Sequence, residues 1–199
     1  MAVITFVHKE LLPCLQPIPL KALGLGEEQV KLCTGRVMVT AAQKETKGME
    51  GRTVSKMQYF INTYQHTADH PYKQQRLLQA ISAIMSYLKP RATAITVCGD
   101  MNAAWGRDRV GYVDNPARDA VDDAFTRWVT AEGFQIPERS YEHTWRATDG
   151  PQRAHLDYML VWSAEAVQYD TAVFSTVHQS HNHRGVRGCF KSYFLQQPT

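Results

Sequence analysis

The chain has 199 residues, enough for one domain with a sizeable core, and we predict a single domain over residues 1–199. Its formal net charge of +3 is too mild to indicate a nucleic-acid partner by itself. Four scattered cysteines without a Cys-x-x-Cys pair indicate core thiols in a reducing compartment. No apolar run reaches the ~20 residues of a membrane helix and no secretory signal stands out. We therefore expect a soluble chain that does not itself span a membrane, in a compartment that the sequence does not identify.

The first half of the chain predicts strands and one long helix. Leu11–Gly26 is rich in Leu and Pro and predicts an irregular loop, with Cys33 following at the start of a strand. After His70, apolar residues recur at helical spacing as far as Lys89, which predicts a helix that packs on a sheet. Three runs rich in β-branched or aromatic residues predict strands, and the last two of them predict a hairpin: Val3–Val7, Gly35–Ala42 and Met57–Tyr64.

The second half predicts a strand, a second helix and several late strands. Ala94–Cys98 is a short apolar strand, and the second helix runs from Arg118 or Asp119 to Glu132, with Gly133 as its C′ residue. No Gly-rich phosphate loop is present. This order favours a layered α/β sandwich over a doubly wound parallel sheet. The late strands are Leu156–Trp162, Ala172–Val177 and Cys189–Leu195.

An Asp-x-Asn pair follows the strand that ends near Cys98. On an extended backbone, residues i and i+2 point to the same side, so the side chains of Asp100 and Asn102 can converge. The carboxylate can bind a metal or orient a nucleophile, and the amide can donate to a phosphoryl oxygen. Taken alone, the pair is equally compatible with a solvated turn.

Four short motifs follow one another along the chain: Gly99–Asn102, Thr144-Trp145, His155–Tyr158 and Ser180–His183. Together they resemble the run Gly-Asp-Phe-Asn, Thr-Trp, Arg-Ile-Asp-Tyr and Ser-Asp-His of the endonuclease/exonuclease/phosphatase superfamily. Ile61–Tyr64 also looks like the strand of that family that ends before its long helix. The resemblance implies a DNase I-like fold, a four-layer α/β/β/α sandwich, that here lacks the first strands.

The resemblance implies a role for five residues. Asp100 would orient or activate the attacking water, and Asn102 would hold the scissile phosphate. Asp157 would fix the tautomer of His183, which would contact the phosphate or share proton transfer. Tyr64 would line the phosphate pocket. The implied reaction is hydrolysis of a phosphodiester or phosphomonoester, usually with Mg²⁺.

The metal site departs from the family pattern at two points. The family has an early strand with a metal-binding Glu, whereas Glu10 here has none of that context. Asn182 stands where the family has the Asp of Ser-Asp-His, and it can give Mg²⁺ only an amide oxygen. Metal binding would then depend on Asp100 and Asn182, weakly, and on Asp157.

Histidines and basic residues leave other interpretations open. His66 and His70 flank the loop after Tyr64 and could line the same pocket. Thr171–Thr199 contains no Asp or Glu, so its basic residues form either a solvated edge or a contact for phosphate, a lipid headgroup or an acidic protein face. A loose metal-ligand set, which no nearby Cys or Glu completes, is His178, His181 and His183.

Two function classes follow from these observations. We expect a non-catalytic, repurposed module that serves as a structural or interaction subunit of a larger assembly, with no cofactor. The alternative is a Mg²⁺-dependent phosphodiesterase or nuclease, and only this alternative implies nucleic acid as a partner. Because an absent inner strand would leave unpaired backbone groups, and Leu11–Leu25 carries many apolar residues, we expect a protein partner to cover that segment. The sequence identifies neither the substrate nor the oligomeric state.

Overall fold

The computed structural model describes residues 15–47, 53–135, 143–164, 168–174, 182–183 and 185–191. Several predictions lie outside these residues: those on Val3–Val7, Glu10, Cys14, His178 and His181. The described helices are α1 (Glu27–Cys33), α2 (Pro71–Leu88) and α3 (Pro116–Glu132). The described strands are β1 (Leu15–Ile18), β2 (Val37–Lys47), β3 (Thr53–Tyr64), β4 (Ala94–Asp100), β5 (Arg109–Val110), β6 (Trp145–Arg146), β7 (Arg153–Ala154), β8 (Asp157–Ser163), β9 (Gln168–Phe174) and β10 (Gly185–Lys191).

A five-stranded sheet of order β1-β2-β3-β4-β8 forms the centre of the fold. The β3–β4 pair is parallel and the other three pairs are antiparallel. Parallel neighbours need a crossover connection, and α2 provides it between β3 and β4. Two smaller sheets, β9-β10 and β5-β7-β6, complete the described strands. The fold class is therefore mixed α and β with a central sheet and helices, as the sequence predicts.

One face of the central sheet packs against the helices. Alternate residues of neighbouring strands point to this face, because side chains on a strand alternate between its two sides. They meet the apolar stripes of α2 and α3 in one continuous core. None of the helices among the described residues is long and apolar enough to cross a lipid bilayer. Fully buried members of the core include Ile61, Leu77, Ile81, Ile95, Val97 and Phe125.

The helix ends follow local sequence signals. Pro71 occupies the first turn of α2, where its missing N–H costs nothing. The second long helix begins at Pro116, two residues earlier than predicted, because the Asn115 side chain accepts hydrogen bonds from the N–H groups of Ala117 and Arg118. It ends at Gly133, whose φ of 72° is the left-handed conformation expected of that residue.

The segment before β2 differs from the sequence prediction. The predicted loop Leu11–Gly26 contains β1 and a short 3₁₀ helix at Leu20–Leu23, and Cys33 ends α1 rather than starting a strand. β1 has only four residues and contains Pro17, and α1 has only seven residues. Each sequence pattern is therefore too short to predict its element. Leu23 is buried in the core, and three partly buried neighbours pack against that core: Ile18, Leu20 and Leu25. The chain itself therefore covers this part of the predicted partner-binding segment.

The last two described strands begin four residues earlier than predicted. The prediction placed them at Ala172–Val177 and Cys189–Leu195, whereas the structure has Gln168–Phe174 and Gly185–Lys191. They pair with each other in an antiparallel register in which Gly185 faces Phe174. The predicted boundaries followed apolar content alone, and the polar residues at the start of each strand pair with the partner strand all the same.

Candidate functional site

Three strand termini meet at one end of the central sheet, where its parallel strands stop. β3 ends at Tyr64, β4 ends at Asp100, and β8 begins at Asp157. The register places Tyr64 beside Asp100 and Asp100 beside Asp157. Parallel strands end at the same edge, and an antiparallel neighbour begins there, so the topology alone brings these three residues together.

Gly99 makes the close pairing of β3 and β4 at this edge possible. Its φ is 134°, a conformation that L-residues rarely adopt. A Cβ atom at this position would lie 1.9 Å from the carbonyl oxygen of Thr63 on the neighbouring strand. Only glycine therefore lets β4 approach β3 closely enough to place Asp100 next to Tyr64.

The carboxylate of Asp100 lies in a desolvated position. Its side chain is 12% exposed, and one oxygen accepts the backbone N–H of Asn102 at 2.8 Å. Burial, followed by the negative charge of Asp157, raises the pKa of Asp100 to about 6. The hydrogen bond from Asn102 and the nearby imidazole of His183 act in the opposite direction. This carboxyl group therefore titrates near neutral pH.

Asp157 and His183 form the predicted pair. The Nδ1 atom of His183 lies 3.0 Å from Oδ2 of Asp157, and because a carboxylate only accepts, Nδ1–H donates. The Nε2 atom then faces Asp100, whose Oδ2 lies 3.9 Å away. The hydrogen bond to Asp157 raises the pKa of His183, against the effect of burial. The predicted proximity of Asp157 and His183 is confirmed, and the roles of the two residues remain predictions.

The two residues of the Thr-Trp motif contact Asp157 and His183, one each. The buried hydroxyl oxygen of Thr144 accepts the backbone N–H groups of Leu156 and Asp157, at 2.9 Å and 3.0 Å. The next residue, Trp145, forms an isolated antiparallel bridge with His183. The sequence identifies the motif, and these contacts give the physical reason for its place beside Asp157 and His183.

Asn102 is held by its neighbours in a left-handed conformation. Its φ is 47°, and its Nδ2 donates to the carbonyl oxygen of Gln65 at 2.9 Å. The Nε2 atom of Gln74 lies 3.4 Å from the Asn102 carbonyl oxygen and also donates to the carbonyl oxygen of His66. Two buried glutamines of this network, Gln65 and Gln74, were not predicted, because nothing in their local sequence pattern distinguishes them from surface residues.

Asn182 and Tyr64 lie at the margins of the cluster. The side chain of Asn182 is exposed, and its Oδ1 accepts a hydrogen bond from the Thr148 hydroxyl at 3.0 Å. Its oxygen is thus already engaged by the protein. Tyr64 is half-buried, and the guanidinium of Arg36 lies 5.6 Å from its ring centroid.

The site has a donor set that suits a hard cation. One ligand atom each from Asp100, Asp157 and His183 lie within 4.8 Å of one another. Carboxylate oxygens are preferred by Mg²⁺, whereas an imidazole nitrogen is more typical of transition metals. For Mg²⁺ the two carboxylates, Asp100 and Asp157, are therefore the groups that fit.

A second polar network fixes the loop that follows Asn102. Asp122, which is fully buried on α3, accepts the N–H of Ala104 at 2.8 Å and two hydrogen bonds from Arg109 at 2.6 Å and 2.8 Å. The contacts of Asp122 with Ala104 and Arg109 were not predicted, because these three residues share no local sequence pattern.

His66 makes stability depend on pH in the mildly acidic range. Burial and the charges of Arg36, Lys73 and His70 lower the pKa of His66 from 6.5 to about 4. Below pH 6.5 the unfolded chain binds a proton at this position that the folded chain does not bind, so stability should fall from about pH 6.5 to about pH 4. The difference in unfolding free energy between pH 7 and pH 5, measured with urea, should be smaller for His66→Gln than for the wild type. A difference in His66→Gln as large as that in the wild type would contradict this assignment.

Structural comparison identifies the fold. The chain is similar to the crystal structure of the Xenopus laevis APE2 catalytic domain, with a TM-score of 0.59 and 17% identity over 84% of this chain. A D. rerio TDP2 complexed with single strand DNA product also aligns, with a TM-score of 0.49 and 11% identity over 89% of this chain and 67% of that one. Neither a protein-family model nor a curated protein sequence matches the chain.

The first of these likenesses shows the fold, which is DNase I-like, as in the endonuclease/exonuclease/phosphatase superfamily. The chain spans 59% of the length of the APE2 structure. The sequence resemblance stated above is thereby confirmed at the level of the fold.

Proposed function

We propose that this chain is a metal-assisted phosphoester hydrolase. The observation that carries the proposal is the cluster of Asp100, Asp157 and His183 at the edge where three strands end. A buried carboxyl group with a raised pKa beside a second carboxylate is common at functional sites. A site with this excess of negative charge favours a cation and a reaction that uses one.

The residues have complementary tasks in such a reaction. Asp100 accepts a hydrogen bond from the attacking water and takes its proton as the new P–O bond forms and the bond to the leaving group breaks. Asp157 holds the imidazole of His183 in the tautomer that leaves Nε2 directed at Asp100. The 3.9 Å between Nε2 and Oδ2 of Asp100 leaves the imidazole available to a phosphoryl oxygen. Asp100 and Asp157 would hold Mg²⁺, which supplies charge neutralisation and a more acidic bound water.

Hydrolysis of a small phosphodiester tests the proposal. We expect the chain to cleave bis(4-nitrophenyl) phosphate in the presence of Mg²⁺, and we expect EDTA to stop the reaction. Asp100→Asn should lower kcat/KM by about 10²–10⁴-fold, the usual contribution of a general acid or base. Asp114→Asn, in an exposed loop, is a charge-matched control and should leave kcat/KM unchanged.

Two results would contradict the proposal. One is a wild-type rate equal to that of Asp100→Asn under all metal conditions. The other is an equal loss of rate in Asp114→Asn, which would indicate a general effect of charge. Circular dichroism of each variant confirms that the fold is retained.

A non-catalytic structural or interaction subunit is the second candidate. It is favoured by the two amide side chains of the site, because Asn102 donates to Gln65 and Asn182 accepts from Thr148. Under this candidate a protein partner contacts the part of Leu11–Leu25 that the chain does not itself cover. Among the described strands β1 is the outermost of the central sheet, which makes it a suitable contact. Absence of hydrolysis together with a complex of high mass by light scattering would favour this candidate.

A further inference from the structure

Four nitrogen-bearing side chains lie near the end of β3, on the β2 side of the candidate site. We call them the basic face: Arg36, His66, His70 and Lys73. Arg36 directly precedes β2, and the other three lie in the loop after β3 and the first turn of α2. The strand order places this face on one side of Asp100, with Asp157 on the other.

Arg36 is fixed to the strand end that neighbours Asp100. Its Nη1 donates to the carbonyl oxygen of Tyr64 at 3.1 Å, and the Tyr64 N–H donates to the Arg36 carbonyl oxygen at 2.9 Å. A guanidinium has five N–H donors, and only one of them is used in this contact. The remaining donors have no protein acceptor in the part of the chain that the structure describes. Arg36 is therefore a pre-positioned cation with unused hydrogen-bonding capacity.

The basic face carries uncompensated positive charge. Neither Arg36 nor Lys73 forms an ion pair with any described residue, and the one carboxylate of the loop, Asp69, is exposed. Three basic residues elsewhere do lie within 3 Å of a carboxylate oxygen: Arg76 with Glu28, Lys89 with Glu132, and Arg109 with Asp122.

The lowered pKa of His66 is a second sign of this positive charge. The groups that lower its pKa, after burial, are the cations Arg36 and Lys73 and the second imidazole of His70. Among the residues that the structure describes, no carboxylate acts on the pKa of His66 in the opposite direction. Its Nε2 atom is buried and has no hydrogen-bond partner among the described residues. An anion seated here would relieve mutual repulsion between the positive groups.

We propose that the basic face binds a phosphate next to the reacting one, so that the substrate is a nucleic-acid strand rather than a single phosphoester. This inference rests on the proposed function, which places the reacting phosphate at Asp100. A strand offers phosphates in series, and the face begins at the residue beside Asp100. The rings of Tyr64, His66 and His70 lie among the cations, and aromatic rings between cations are typical of surfaces that bind single strands.

Binding of a fluorescent single-stranded oligonucleotide in EDTA, where no turnover occurs, tests this inference. The logarithm of the association constant should fall linearly with the logarithm of salt concentration, by about 0.7 for each phosphate neutralised. Lys73→Gln should reduce this slope by about 0.7, and the Arg36→Gln and Lys73→Gln double variant by about 1.4. Lys73 is exposed, so its replacement leaves the core intact. Arg91→Gln, past the opposite end of α2, is the matched control and should leave the slope unchanged.

Three outcomes would overturn the inference. They are an unchanged slope in Lys73→Gln, competition by inorganic phosphate as effective as that by the oligonucleotide, and Lys73-dependent binding to phosphatidylserine vesicles without oligonucleotide binding. Hydrolysis of the small phosphodiester is measured separately. If it is absent while Lys73-dependent oligonucleotide binding persists, the proposed function fails and the basic face remains a binding surface. If hydrolysis occurs without such binding, only the inference about the basic face fails.

Discussion

Asp122→Ala should lower the free energy of unfolding by about 3–5 kcal/mol, the usual cost of breaking a buried ion pair from one side. Asp122 is fully buried, and Arg109, its partner through two hydrogen bonds, is only 10% exposed. The variant leaves the Arg109 guanidinium and the Ala104 N–H without their acceptor. Because Ala104 is two residues after Asn102, the loop that carries the site should loosen with it. Chemical denaturation measures the loss directly.

Two companion variants separate this effect from a simple change of charge. Asp123→Ala removes the neighbouring carboxylate, which pairs with Arg107 at the surface and should change stability little. The double variant Asp122→Ala with Arg109→Met removes both charges and should recover part of the loss, because no buried cation is left unpaired. A loss below about 1 kcal/mol for Asp122→Ala would show that the pair is not held as described.

The two carboxylates of the site could be predicted from the sequence because they lie at strand termini. Asp100 and Asp157 each adjoin an apolar run that could be recognised as a strand, and the motif order supplied the pairing with His183. The same local signals predicted α2 and the end of α3 at Gly133. The strands and helix ends are specified by residues close together in the chain, whereas the pairing of Asp157 with His183 was implied by the resemblance of the motif order to the superfamily.

What the sequence could not predict depends on contacts between distant residues. Asp122 reaches a loop residue 18 positions earlier, and the Thr144 hydroxyl holds a strand 12 and 13 positions later. Gln65 and Gln74 are polar residues that tertiary contacts bury. The basic face likewise combines Arg36 with a loop that follows about thirty positions later. The net charge of +3 does not indicate that positive side chains are concentrated at the basic face.

Gly99→Ala should be among the most destabilising single substitutions in the chain, with a loss above about 4 kcal/mol. Its Cβ would lie 1.9 Å from the Thr63 carbonyl oxygen, a backbone atom that cannot move without separating β3 from β4. Gly35→Ala is the matched control, because Gly35 also has a positive φ, of 74°, but no atom within 4 Å of the added Cβ. That variant should cost only the conformational term, about 1–2 kcal/mol. Thermal and urea unfolding of both variants decide the matter, and equal losses would mean that the approach of β4 to β3 does not require glycine. A larger loss for Gly99→Ala would show that the short distance between two backbones fixes the position of Asp100, and with it the geometry of the whole site.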